Sequence, residues 1–330
     1  MHETAKNLPK LGLDVWYFAK FQTMQIIHPV RIFFNPDRVD LNRVLSGKFL
    51  FAVRYITLTL LSFVHWSVAQ TAEHNGVRIA YQTEGQSDTT LLFIHGWTIN
   101  QSYWQPQVEH FKKKYQVVTL DLAGHGKSGD ERDDWTMEAF GNDVVAVIKK
   151  LDLQNIVIIG HSMGGSVMLE AVNQVPERII AMVGVDNFKE VGTTLTPKQQ
   201  KEIEMFLGMM QTNYAEVVDG YARNMLFTPE SDSVMVDSVV QYMRSADPVM
   251  ARNSLKHSIE ASEREVQLLQ DAPTKLYLIQ SDALPTQEKS LKKILKHGYE
   301  ILSVGKTSHY PMIEVPELFN TQLEEVLHSL

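Results

Sequence analysis

The chain has 330 residues, 44% of them hydrophobic, which supplies a substantial core for one large domain or two small ones. Its formal net charge of −8 offers no basic field to hold a phosphate backbone, which argues against nucleic acid as a partner. Cysteine is absent, so disulfides, a thiolate nucleophile and cysteine metal sites are excluded, while the redox compartment stays open.

In chain order, residues 1–45 mix aromatics, prolines and basic side chains without sustained periodicity, and give little support to a domain of their own. Next, Lys48 and Arg54 precede an apolar run from Tyr55 to Val64, and Ser67-Val68-Ala69 follows. Charge, apolar stretch and small residues in that order make a secretory signal. The run falls short of the ~20 apolar residues of a transmembrane helix. It lies near residue 46, however, and a signal belongs at the start of a chain. Three readings compete. The true start lies near Val44 or Leu45 and the protein is exported, periplasmic or secreted. Alternatively the segment is an uncleaved anchor, the one case with a membrane as partner. Otherwise it is a helix packed on the main domain of a cytoplasmic protein. The expected organisation is an N-terminal extension over residues 1–69 and a main domain over 70–330.

From Thr71 to Gln82 an Asn75-Gly76 turn signal and the alternation of Val77–Tyr81 predict a hairpin. Short apolar runs then recur at Leu91–Ile94, Val117–Leu120, Ile156–Ile159, Ala181–Val185, Leu276–Ile279 and Glu300–Val304. Continuous rather than alternating apolarity suits strands buried on both faces of a mostly parallel sheet. Thr136–Leu151 and Ser166–Val175 have the length and spacing of covering helices. The fold class is therefore α/β, a mostly parallel central sheet flanked by helices.

Between Asp186 and Pro273 the rhythm breaks into helical patterns without a strong strand. Thr196-Pro197 opens one of these helices with a cap residue and a first-turn proline. The interval, about 187–272, reads as a helical cap over the carboxyl ends of the strands, where open α/β sheets bind ligands. Its seven methionines, Met205, Met209, Met210, Met225, Met235, Met243 and Met250, read mainly as core filler, with a few free to line an adaptable pocket.

Four segments carry chemistry. Gly160-His161-Ser162-Met163-Gly164 has the form G-x-S-x-G, directly after an apolar strand and before a helical run. That context puts the serine on a sharp turn, with glycines where neighbouring elements approach closely and a helix N-terminus facing developing negative charge. Ser162 is the expected nucleophile. In Leu91–Thr98 a strand ends in His95-Gly96, and the backbone amides of Trp97 and Met163 are the expected oxyanion donors. Asp121–Gly129 follows another strand; Asp121 reads as a loop organiser, and His95, His125 and His161 as supporting residues. Last, His309 follows the final strand in Thr307–Pro316 and is the best placed of twelve histidines to serve as general base.

These four segments, in this order over residues 71–330, resemble the α/β-hydrolase superfamily, closest to capped esterase-like members with a G-H-S-M-G-G elbow. The resemblance implies a triad in chain order Ser, acid, His. Its acid usually follows the penultimate strand, which here gives Asp282 at the end of Pro273–Asp282. That segment has Gln280-Ser281 where the family often has a glycine, and Asp186, in Gly184-Val185-Asp186-Asn187, is the alternative acid. The resemblance implies a serine esterase acting on a small-molecule acyl substrate through an acyl-enzyme, with no cofactor and no metal. Lactones, thioesters and carbon–carbon bonds are further substrates of the same triad. A small-molecule sensor of the same fold with little turnover is the competing class.

Overall fold

A computed structural model describes residues 70–330. The signal-like segment and the residues before it lie outside the described residues. Among the described residues, no helix is long and apolar enough to cross a membrane.

The sheet starts as expected from the turn chemistry. Strands β1 (Gln70–His74) and β2 (Val77–Glu84) pair antiparallel, and Asn75 and Gly76 between them both have positive φ, 49° and 82°. Two consecutive positive-φ residues are what a tight two-residue hairpin requires. After β2 come β3 (Thr90–Ile94), α1 (Gln105–Phe111), β4 (Gln116–Leu120), α2 (Met137–Lys150) and β5 (Ile156–His161). Then follow α3 (Met163–Gln174) and β6 (Ile179–Val185). After a helical insertion the chain returns to the sheet as β7 (Leu276–Gln280), α9 (Glu288–Ile294) and β8 (Tyr299–Ser303), and closes with α10 (Pro311–Glu314) and α11 (Pro316–His328).

The eight strands lie in the order β1-β2-β4-β3-β5-β6-β7-β8. Only β1–β2 and β2–β4 pair antiparallel; from β4 through β3 to β8 every pairing is parallel. Every residue of β3, β5 and β7 is buried, as continuous apolar runs demand of central parallel strands. The carboxyl ends of β3, β5 and β6 thus lie side by side, and each is followed by a segment marked in the sequence.

The insertion between β6 and β7 holds five helices: α4 (Pro197–Thr212), α5 (Tyr214–Met225), α6 (Ser233–Arg244), α7 (Pro248–Glu260) and α8 (Ser262–Gln270). The Thr196-Pro197 start is a full capping box, with Thr196 and Gln199 exchanging side-chain and backbone bonds. Of its methionines, Met210, Met243 and Met250 are buried filler, whereas Met205, Met209 and Met225 are exposed.

The insertion is fastened to the sheet layer at several points. Trp97 Nε1 donates to the Ala251 carbonyl at 2.8 Å. Arg264 forks onto the Glu170 carboxylate of α3 at 3.1 and 3.2 Å. Ser166 of α3 hydrogen-bonds Glu265, whose carboxyl burial pushes up and the Ser166 bond partly offsets. Helix α3 begins at Met163, three residues before its predicted start at Ser166. The glycine pair there reads as a turn in sequence, but its bareness serves close packing rather than a loop.

Candidate active site

Ser162 is the one residue between β5 and α3. Its φ of 52° and ψ of −123° hold it in a conformation that side chains rarely adopt, a strain of ~1–3 kcal/mol that the surrounding contacts must over-determine. They do so from both sides. The Ser162 amide donates to Val185 O at 3.0 Å, and its carbonyl accepts from the Gly165 amide at 2.9 Å. A Cβ on Gly160 would run into the Gly164 carbonyl, and one on Gly164 would meet the His95 carbonyl at 2.6 Å. Both glycines of the motif are therefore steric requirements of the turn. The N-terminus of α3 starts at the next residue and turns its positive end toward Ser162.

A cavity of about 70 Å³ opens at Ser162. From the sheet side it is lined by Ser162, Trp97, Met163, His161, His309 and Tyr310. Tyr221, Leu226, Leu255 and Ser258 close it from the insertion. The residues expected as nucleophile, base and oxyanion donors thus share one small space. A larger surface depression of about 620 Å³ lies between α5 and α6, sharing no lining residue with the cavity. It is occupied by ion pairs of Arg223 and Arg244 with Asp219 and of Arg223 with Asp237.

His309 is held at three points. Its Nδ1 lies 2.6 Å from Asp186 Oδ2. Its amide donates to Leu226 O of the insertion at 2.8 Å, and its carbonyl accepts from His161 Nε2 at 2.7 Å. The carboxylate on this histidine is Asp186, which corrects the expectation of Asp282. Asp282 is exposed and accepts a bond from Ser303 Oγ at 2.7 Å, at the far side of the β7–β8 edge. The physical reason lies in the departure noted in the sequence. Where a glycine would lead into an acid, Ser281 gives its amide to Asp186 Oδ1 at 3.1 Å and its hydroxyl to Thr307 O at 2.7 Å. Gln280 reaches back to Asn187 O at 2.7 Å, so this loop supports the end of β6.

Asp186 has φ 46° and is nearly buried. Burial pushes its carboxyl up, but the hydrogen bond and charge of His309, with Lys189, outweigh that and hold it well below the ordinary carboxylate value. Lys189 Nζ lies 2.8 Å from Asp186 Oδ1. Nothing in the sequence reading singled out Lys189; its spacing, three residues after an aspartate at a strand end, was the available signal.

His95, His125 and His161 are buried and bonded to backbone groups. Burial pushes His95 down to about 4, and His125 and His161 down to about 3. His95 donates from Nδ1 to Gly96 O and accepts from the Leu122 amide at Nε2. His125 bonds Ala123 O and the Thr98 amide in the same manner. Asp121 accepts from the amides of Gln101 at 2.9 Å and Lys127 at 2.8 Å, the loop-organising role read from its position. Among the described residues no cluster of His, Asp or Glu could hold a metal ion. Of the aromatics near the site, Trp97 lines the cavity, while Trp104 is buried in the core against Phe93 and Phe319.

Comparison with known proteins agrees with this fold. A family model described as the alpha/beta hydrolase fold matches residues 89–231. The chain is similar to 3-oxoadipate enol-lactonase 2 of Acinetobacter baylyi, 24% identical over 267 residues, covering 80% of this chain and 97% of that one. It is also similar to a bifunctional esterase/perhydrolase of Acinetobacter calcoaceticus, 35% identical over 109 residues, covering 32% of this chain and 40% of that one. Several curated relatives are matched over only 30–40% of their own length. Among solved structures, a thermophilic esterase from Thermogutta terrifontis superposes with a TM-score of 0.66 at 20% identity, over 79% of this chain and 97% of that one. The sheet order, the strained serine between β5 and α3 and these matches together show the α/β-hydrolase fold.

Proposed function

We propose that this protein is a serine hydrolase of small uncharged carboxylic esters, with Ser162 as nucleophile, His309 as general base and Asp186 as the acid of the triad. The observation that carries the reading is the convergence of a strained Ser162 and an Asp186-bound His309 on one cavity. His309 Nε2 takes the Ser162 proton as Oγ attacks the acyl carbon, and the backbone amides of Trp97 and Met163 stabilise the oxyanion. The carbonyl re-forms as the C–O bond to the alcohol breaks, and His309 returns the proton to the leaving oxygen. Water, deprotonated by His309, then attacks the acyl carbon; the C–O bond to Ser162 breaks, His309 returns the proton to Oγ, and the acid leaves.

The size of the cavity supports a short acyl group. At about 70 Å³ it is far smaller than the ~300–1,000 Å³ of drug-sized ligand sites. Among the described residues lining it, none is Lys, Arg, Asp or Glu, so nothing there would neutralise a charged acyl group. A lactone is the second substrate class, favoured by the similarity to an enol-lactonase along 80% of this chain.

The test is hydrolysis of p-nitrophenyl esters of increasing acyl length by the native chain and Ser162→Ala. Native turnover should be highest on acetyl and propionyl esters and fall by several orders of magnitude in the variant. Equal rates in the two proteins would refute the assignment of Ser162.

A further inference from the structure

Lys189 has no part in the scheme above, yet it is built into the site. Its side chain is 12% exposed and its ammonium finds three acceptors: Asp186 Oδ1 at 2.8 Å, Ser281 O at 2.7 Å and Leu284 O at 3.1 Å. Three protons on three oxygens satisfy a nearly buried cation. The backbone brings it there by two positive-φ residues, Asp186 at 46° and Phe188 at 53°, which curl the loop after β6 back over the carboxylate. The carboxylate is thereby divided. Oδ1 takes Lys189 and the Ser281 amide, and Oδ2 is left for His309.

We propose that Lys189 is a positioning residue for the catalytic base: it fixes Asp186 Oδ2 on His309 and offsets part of the carboxylate charge, so that His309 stays deprotonated to lower pH. The inference rests on the proposed roles of Ser162, His309 and Asp186.

The electrostatic argument is a balance of two opposed charges. A carboxylate beside an imidazole favours the imidazolium, which cannot accept the Ser162 proton; a cation on the far oxygen opposes that. The rings facing His309 are neutral near pH 7, and one further carboxylate, Glu314, reaches its loop. The His161 ring, 4.8 Å away from the end of β5, is held unprotonated by burial. Tyr310, 5.5 Å away on the same loop, and Tyr221 on α5 are both pushed up by burial. Glu314 of α10 reaches this loop through the Ser308 amide. Asp186 is thus the one carboxylate in direct contact with the imidazole, and Lys189 the one ammonium on that carboxylate.

The experiment follows the His309 ring by NMR across pH, beside the acid limb of kcat/KM, in the full-length native chain and in Lys189→Gln, Lys189→Met and Lys189→Arg. Both neutral variants should raise the ring midpoint and the acid limb by roughly one pH unit, and arginine should restore them. Glutamine keeps a hydrogen-bond donor without the charge, so its shift separates electrostatics from tethering. Native midpoints in both neutral variants would overturn the proposal. Loss of the folded spectrum in both would overturn it too, leaving Lys189 as an anchor of the Ser281–Leu284 loop. The ring titration needs no turnover. A chain that hydrolyses no ester, or an active Ser162→Ala, removes the proposed function while the His309 midpoint still decides the part played by Lys189.

Discussion

Asp186 and Asp282 present the same side chain at the ends of adjacent parallel strands, and their surroundings separate them. Asp186 is buried on His309 at 2.6 Å, while Asp282 is exposed on Ser303. Asp186→Asn should lower kcat by about four orders of magnitude, since an amide leaves His309 in the wrong tautomer. Asp282→Asn should leave ester turnover close to native; parallel assays of the two variants decide between the carboxylates. Ser162 and His309 stood out in the sequence because each follows a strand in a short motif, and the fold brings both to one cavity. The carboxylate on His309 was not legible there, because order along the chain allows either aspartate and only the path of the Ser281 amide distinguishes them. The Gln280-Ser281 departure was the visible sign, and it marked the loop that holds Asp186 rather than a weakened site.

Among the elements, the sheet was read nearly strand for strand, since six continuous apolar runs leave little freedom in a parallel sheet. The start of α3 was missed by three residues, and the packing of α4 to α8 could not be read at all. Helical periodicity says which face is apolar, not what the face meets. On the proposed function that packing sets the acyl group, because Tyr221, Leu226, Leu255 and Ser258 close the cavity from α5, the segment after it and α7. Leu255→Ala removes three carbon atoms from this wall. It should shift the preferred ester from acetyl or propionyl toward butyryl or longer, read as a change in relative kcat/KM. An unchanged length profile would show that the acyl group lies elsewhere.

For the whole molecule, three buried histidines make stability depend on pH. His95, His125 and His161 are held neutral by burial, at about 4, 3 and 3, against an ordinary value of 6.5. Because the native values lie below the unfolded one, the unfolded chain binds more protons between about pH 4 and 6.5. Their contribution is complete above pH 6.5 and is lost as pH falls toward the native values. Asp186 adds to the loss further down, since its native value is depressed and its stabilisation fades as pH drops below the ordinary carboxylate value of 3.8. Denaturant unfolding from pH 7 to 4 should show falling stability with an uptake approaching three protons per molecule. A flat profile would mean that these rings are protonated in the native state.

The bond from the His309 amide to Leu226 O ties the proposed general base to the insertion by the backbone itself. A roof hinged freely over the serine would let the chamber open while the reacting groups stay assembled. Here any motion that carries Leu226 away also slackens the loop bearing His309. On the proposed mechanism, admission of substrate and readiness for chemistry are thus mechanically linked. Trimming the five helices to enlarge the chamber should yield a slower enzyme with a loosened histidine rather than a more permissive one, with turnover of even the smallest ester as the readout.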